Sequence, residues 1–135
     1  MDELVETITH EGKVLAHIVR SQTRSEKTTF VTDPQDAFQL GFIVYPKGGR
    51  VANHFHKPVH RALTTTSEAV MVRSGSCELD LFSCPEHLVA TKTLAPGDLV
   101  LLLEGGHGFR MTEDCVLLEI KQGPYPGVDE KERFE

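Results

Sequence analysis

From Phe38 onward, turn-forming residues interrupt the chain about every ten positions, which limits it to a succession of short strands. Phe38–Tyr45 (FQLGFIVY) reads as a strand that ends at Pro46-Lys47-Gly48-Gly49. Ala69–Val72, Cys77–Phe82 and Leu88–Thr93 follow, separated by Arg73-Ser74-Gly75-Ser76 and Ser83-Cys84-Pro85-Glu86, both of which have hairpin-turn chemistry. In Cys77–Phe82 the residues Cys77, Leu79 and Leu81 alternate with Glu78, Asp80 and Phe82, so one face is apolar. After the turn Ala95-Pro96-Gly97-Asp98 come a buried strand, Leu99–Leu103, and a last one, Val116–Ile120; Val14–Val19 is an earlier strand. Only Asp2–Thr9, with Leu4, Val5 and Ile8, carries a helical pattern. The expected fold is all-β, a sandwich or barrel.

With 135 residues there is room for one sound core, so 1–135 is expected to be a single domain. Its core should span about 38–120, and the turn-rich, charged tail 122–135 should form an arm against the barrel or a neighbouring subunit. The net charge of −6 comes with no clustered Lys and Arg, which argues against nucleic acid as a partner. Three cysteines, none in CxxC spacing, predict neither a disulfide framework nor a zinc finger. The charged start MDELVETITH lacks the apolar core of a signal peptide, and the run Leu99–Leu103 is too short to span a bilayer. A cytoplasmic protein with reduced thiols and no membrane partner is expected.

The chemistry concentrates in histidines. His54 and His56 are two apart, so on an extended chain both imidazoles point to one side and can share an ion. Glu68 opens the apolar strand Ala69–Val72, and His107 lies in Gly105-Gly106-His107-Gly108, where small neighbours let a turn bring the ring close to another strand. Five residues separate Gly48 from His54, six separate Glu68 from Gly75, and nine separate Gly97 from His107.

On these residues the chain resembles the cupin superfamily. The family's first motif is G-x5-H-x-H-x3,4-E-x6-G; its two halves are matched by Gly48-x5-His54-Phe55-His56 and by Glu68-x6-Gly75, with Lys57–Ser67 as a loop at the barrel mouth. Gly97-x9-His107 resembles the second motif. The resemblance implies a double-stranded β-helix (jelly-roll barrel) and places His54, His56, Glu68 and His107 on the family's four metal-ligand positions. His60 is a rival to Glu68, since three residues separate it from His56 as in the short form of the motif; Glu68 is preferred because it keeps the spacing to Gly75. The segments HFHKPVHR, GDLVLLLEGGHGF and KQGPY are similar to those of small, single-domain cupins.

Three imidazoles and a carboxylate suit divalent Fe, Mn, Ni, Cu or Zn without choosing among them. Such an ion could activate water, polarise a carbonyl or bind dioxygen, giving an oxygenase, isomerase or hydrolase acting on a small polar molecule. The alternative is a non-catalytic module that holds a sugar or another small polar ligand. Arg50, Lys57, Arg61 and Arg110 are candidates to meet an anionic substrate, against the plainer reading of solvated charges. Glu104 is a candidate general base, while Cys77, Cys84 and Cys115 read as packing residues rather than nucleophiles. A homodimer is expected, with Val14–Val19 or the C-terminal arm as the exchanged strand.

Overall fold

The computed structural model describes residues 4–127 and 130–135. Its strands are β1 (Glu6–His10), β2 (Lys13–Val19), β3 (Thr29–Phe30), β4 (Gly41–Phe42), β5 (Glu68–Ser74), β6 (Cys77–Cys84), β7 (His87–Leu94), β8 (Leu99–Leu102), β9 (Gly106–Met111) and β10 (Val116–Lys121). No α-helix occurs among the described residues. All strand pairs are antiparallel. One sheet has the order β1-β2-β8-β5-β10, a second has β7-β6-β9, and β3 with β4 makes a two-stranded ribbon.

Alternation builds the core. Ile8, Ala16, Ile18, Val70, Val72, Val100 and Leu102 come from the five-stranded sheet, and Cys77, Leu79, Leu81 and Leu94 from the three-stranded one. The two sheets are therefore the halves of a sandwich, and they do not close into a barrel. The β5–β6 turn depends on Gly75: its φ is +76°, and a Cβ there would strike the Asp114 carbonyl that leads into β10.

Three features depart from the sequence reading. Glu6–His10 is a strand and not part of a helix; Asp2 and Glu3, in the same stretch, lie outside the described residues. Only Ile8 of β1 is fully buried, and the β-branched Thr7 and Thr9 flank it. The core reaches N-terminally of 38, since Ile8, Ala16 and Ile18 belong to it. Finally, the stretch Phe38–Tyr45 pairs only at Gly41–Phe42, with β3. Beyond Phe42 the chain runs through 43–66 with no strand pairing and every residue exposed.

The two sides of the sandwich differ. On the β1–β7 side, Arg20 donates to both carboxylate oxygens of Glu6 (2.6 and 3.2 Å), to the Thr93 carbonyl (2.6 Å) and to Asp98 (3.0 Å). Asp98 also accepts from the backbone N–H groups of Ser21 (2.8 Å) and Ala95 (2.9 Å). One guanidinium thus ties β1 and the end of β2 to β7 and to the turn before β8. On the other side, β9 and β10 are the outer strands of their sheets, and neither pairs with a further strand.

Candidate functional site

Glu68 and His107 meet on this open side. Glu68 begins β5, where the inward alternation of Val70 and Val72 carries its carboxylate toward the interior. His107 lies on β9 opposite Leu81, whose side chain is fully buried, so the imidazole also turns inward. His107 Nε2 stands 3.1 Å from Glu68 Oε1, a contact between the two sheets. Gly106-His107-Gly108, read from sequence as a turn, is the start of this strand.

Two groups of β10 surround the pair. Lys121 is in register with Glu68, and Glu119 with Val70. His107 beside it, helped by a hydrogen bond from Glu119, holds the Glu68 carboxyl down at about 2 against the opposing effect of burial. Glu119 moves the other way, raised by its contact with the Glu68 carboxylate, as expected of two acids that share a proton. Lys121 reaches Glu130 of the tail at 3.4 Å.

His54 and His56 form a second pair. Their rings lie 5.1 Å apart, side by side as the i, i+2 spacing predicts. His54 Nδ1 donates to the Ala52 carbonyl at 2.7 Å. A carbonyl oxygen can only accept, so Nδ1 carries a proton, and in the neutral ring Nε2 is the nitrogen with a lone pair for a ligand. Both rings are exposed on the unpaired segment, as is His60. The four residues proposed from sequence thus stand as two pairs. Among the described residues, no group of three or more His, Cys, Asp or Glu side chains gathers closely enough to hold a metal ion. Within one chain the donor set is right in kind but is not assembled.

The other candidates fall elsewhere. Arg110 is held by Asp80 through two 2.8 Å hydrogen bonds, which leaves its fork committed to that carboxylate. Arg50, Lys57 and Arg61 are exposed on 43–66 and form no ion pair among the described residues. All three cysteines are free, and burial pushes the Cys77 thiol up to about 11, away from nucleophilic use. A cleft of about 930 Å³ lies toward the opposite face of the five-stranded sheet, lined by His17, Thr32, Asp33, Asp36, Thr64 and the exposed Glu104 among others. Burial lowers the pKa of His17, whose ring bonds Thr7 at 3.0 Å. The Arg20–Asp98 hub escaped the sequence reading because its partners lie more than seventy positions apart.

No family model, curated protein or solved structure matches this chain. No helix among the described residues is long and apolar enough to cross a membrane.

Proposed function

We propose that this protein is a metal-binding jelly-roll protein of the cupin type, which uses one divalent ion to act on a small polar molecule. The observation that carries this reading is the Glu68–His107 contact: a carboxylate and an imidazole from opposite sheets, 3.1 Å apart, at an open side of a sandwich. With His54 and His56 the donors are three nitrogens and one carboxylate, a set suited to Fe, Mn, Ni, Cu or Zn. When bound, such an ion supplies Lewis acidity or an activated water. The chain's own part is to keep Glu68 ionised and to orient the His54 ring through its Nδ1 bond to Ala52. The free thiols fit a reducing compartment, the cytoplasm.

Metal analysis of protein purified without an affinity tag tests this reading. About one divalent ion per chain is expected, with loss of most of it in Glu68→Gln, His107→Ala and the double variant His54→Ala/His56→Ala. A metal content near zero in the wild type, unchanged in these variants, would refute it.

A second reading, a module that holds a sugar without turnover, is favoured by the hydroxyls and carboxylates of Thr32, Asp33, Asp36 and Thr64 along the cleft. Calorimetric titration with a sugar panel distinguishes the two. Binding that persists in Glu68→Gln and is lost in Asp33→Ala/Asp36→Ala would support the module.

A further inference from the structure

The segment 43–66 is the longest stretch without strand pairing among the described residues. All its residues are exposed, including Ile43, Tyr45, Val51, Val59 and Phe55, the last at 98%. The cost shows in the total surface. The chain exposes 9844 Å², whereas a compact monomer of 15.0 kDa exposes about 7,000 Å². The excess, close to 3,000 Å² per chain or roughly 6,000 Å² for two, lies at the upper end of the total that obligate homodimers bury.

The segment's sequence suits a strand although it pairs with none here. Around His54 it alternates, with Val51, Asn53 and Phe55 on one face and Ala52, His54 and His56 on the other. Of the four outer strands, β1, β7, β9 and β10, the last two flank the side where Glu68 meets His107 and could take such a partner. Charge agrees. The segment holds Lys47, Arg50, Lys57 and Arg61 and no acid, while the rest of the chain keeps ten basic residues against twenty acidic ones, a net −10. Glu68 and Glu119 stand at the open side itself.

The segment's return point is also anchored. Ser67 exchanges two hydrogen bonds with Gln122, at 2.7 and 3.3 Å, and Thr66 donates to Glu130 at 3.4 Å. Phe134 of the tail packs edge-on against Phe82, with ring centres 4.8 Å apart. The tail thus lies on its own sandwich and holds the arm's base, where Ala62–Thr65 still border the cleft beside Asp33 and Asp36. Val14–Val19, for its part, is fixed between β1 and β8 and has no edge to exchange.

We propose that segment 43–66 crosses to a second copy of this chain and completes that copy's open side, so that His54 and His56 of one chain face Glu68 and His107 of the other. The placement of the histidines rests on the metal-binding reading above; the exchange itself does not. A second copy suits because the same arm and the same open side recur on it, so two reciprocal exchanges close the assembly and cover the β9 and β10 edges of both copies. The stretch 51–56 then lies along β9, with its imidazoles inward beside His107, and 43–45 lies along β10.

Three measurements test this. Light scattering on purified protein should give about 30 kDa, twice the 15.0 kDa chain; a 15 kDa species overturns the proposal, whether its arm is free or folded back on its own sandwich. Next, nitrogen-14 and nitrogen-15 wild-type chains are refolded together and treated with a zero-length carbodiimide. About half of the links from Lys47 and Lys57 to the carboxylates of β10 and the turn before it should join light to heavy peptides, and links only between like isotopes refute the exchange.

Finally, His54→Ala/His56→Ala chains are refolded with Glu68→Gln/His107→Ala chains and loaded with zinc alone. Random pairing makes half the dimers mixed, with one intact site of two, so the mixture should recover about a quarter of the wild-type zinc although neither variant binds alone. Zinc on the wild type but none on the mixture overturns the exchange and spares the metal reading. No zinc on the wild type, together with mixed-isotope links, overturns the metal reading and upholds the exchange.

Discussion

The two sides of the sandwich solve the same problem in opposite ways. The β1–β7 side is shut by a single guanidinium whose partners come from three places in the chain. On the β9–β10 side the contact between the sheets is an ionised Glu68 set against His107, with no guanidinium to clamp the outer strands. One side spends its charges on holding the sheets together. The other keeps polar groups together where another chain segment can reach them, and unsatisfied edges of this kind are ones that proteins usually cover.

The largest expected effect comes from opening the closed side. Asp98 is almost wholly buried, with a side-chain exposure of 6%, and Arg20 is the cation that faces it. Arg20→Ala removes that cation, leaves Glu6 without its two bonds, and frees the Thr93 carbonyl. Breaking a pair of this kind costs about 3 kcal/mol, somewhat less here because the arginine is about a third exposed. Urea unfolding followed by circular dichroism measures it, and a shift under about 1 kcal/mol would mean that the hub is not what shuts this side.

The counterpart on the open side should be small for stability and large for binding. Glu68→Gln keeps the size and hydrogen-bonding reach of the side chain and removes only its charge beside His107. Folding should lose less than Arg20→Ala costs, because the amide oxygen of glutamine still accepts from His107 and no buried charge is left without a partner, while metal content should fall at least tenfold. The reverse outcome, a large loss of stability with binding intact, would make the pair a structural strut and erase the contrast between the two sides.

Much of this contrast lay outside the reach of sequence reasoning, for physical reasons. The strands β5, β6, β7, β8 and β10 were legible because local alternation and turn chemistry set them. β9 was not, since Gly106-His107-Gly108 reads as a turn until the pairing with β6 extends it. β1 was mistaken because Leu4, Val5 and Ile8 also fit helical spacing; its threonines were the signal for a strand. The pattern of Phe38–Tyr45 is strand-like, yet its pairing depends on what lies beside it, and alternation cannot supply a partner. Within the site, the choice of Glu68 over His60 rested on its distance from Gly75. That spacing has a cause here: Gly75 must turn in left-handed geometry against Asp114, which sets where β5 begins relative to β6. Glu68 stands beside His107, and His60 lies on the exposed arm. Whether the two histidine-bearing pairs join is a question of assembly, and no spacing within one chain answers it.

The smallest effects concern acid. In the folded protein the Arg20 hydrogen bond holds Glu6 below its ordinary value of 4.5. On the solvent-facing side of the three-stranded sheet, the Arg110 fork and Thr91 hold Asp80 at about 2 rather than 3.8. A carboxyl whose pKa is lowered by folding stabilises the fold at pH above its unfolded value, and that contribution fades as the pH falls through the folded one. Urea midpoints should therefore decline as the pH falls below about 4.5 on account of Glu6, and below about 3.8 on account of Asp80. Arg20→Ala should flatten the first part of that decline, and Arg110→Ala should flatten only the part nearest pH 2–3. The second change should be the weaker and should shrink further in 0.5 M salt, because Arg110 is mostly exposed whereas Arg20 is about two-thirds covered. Equal flattening in the two variants would show that the Arg20 hub is no more sheltered from solvent than a surface ion pair.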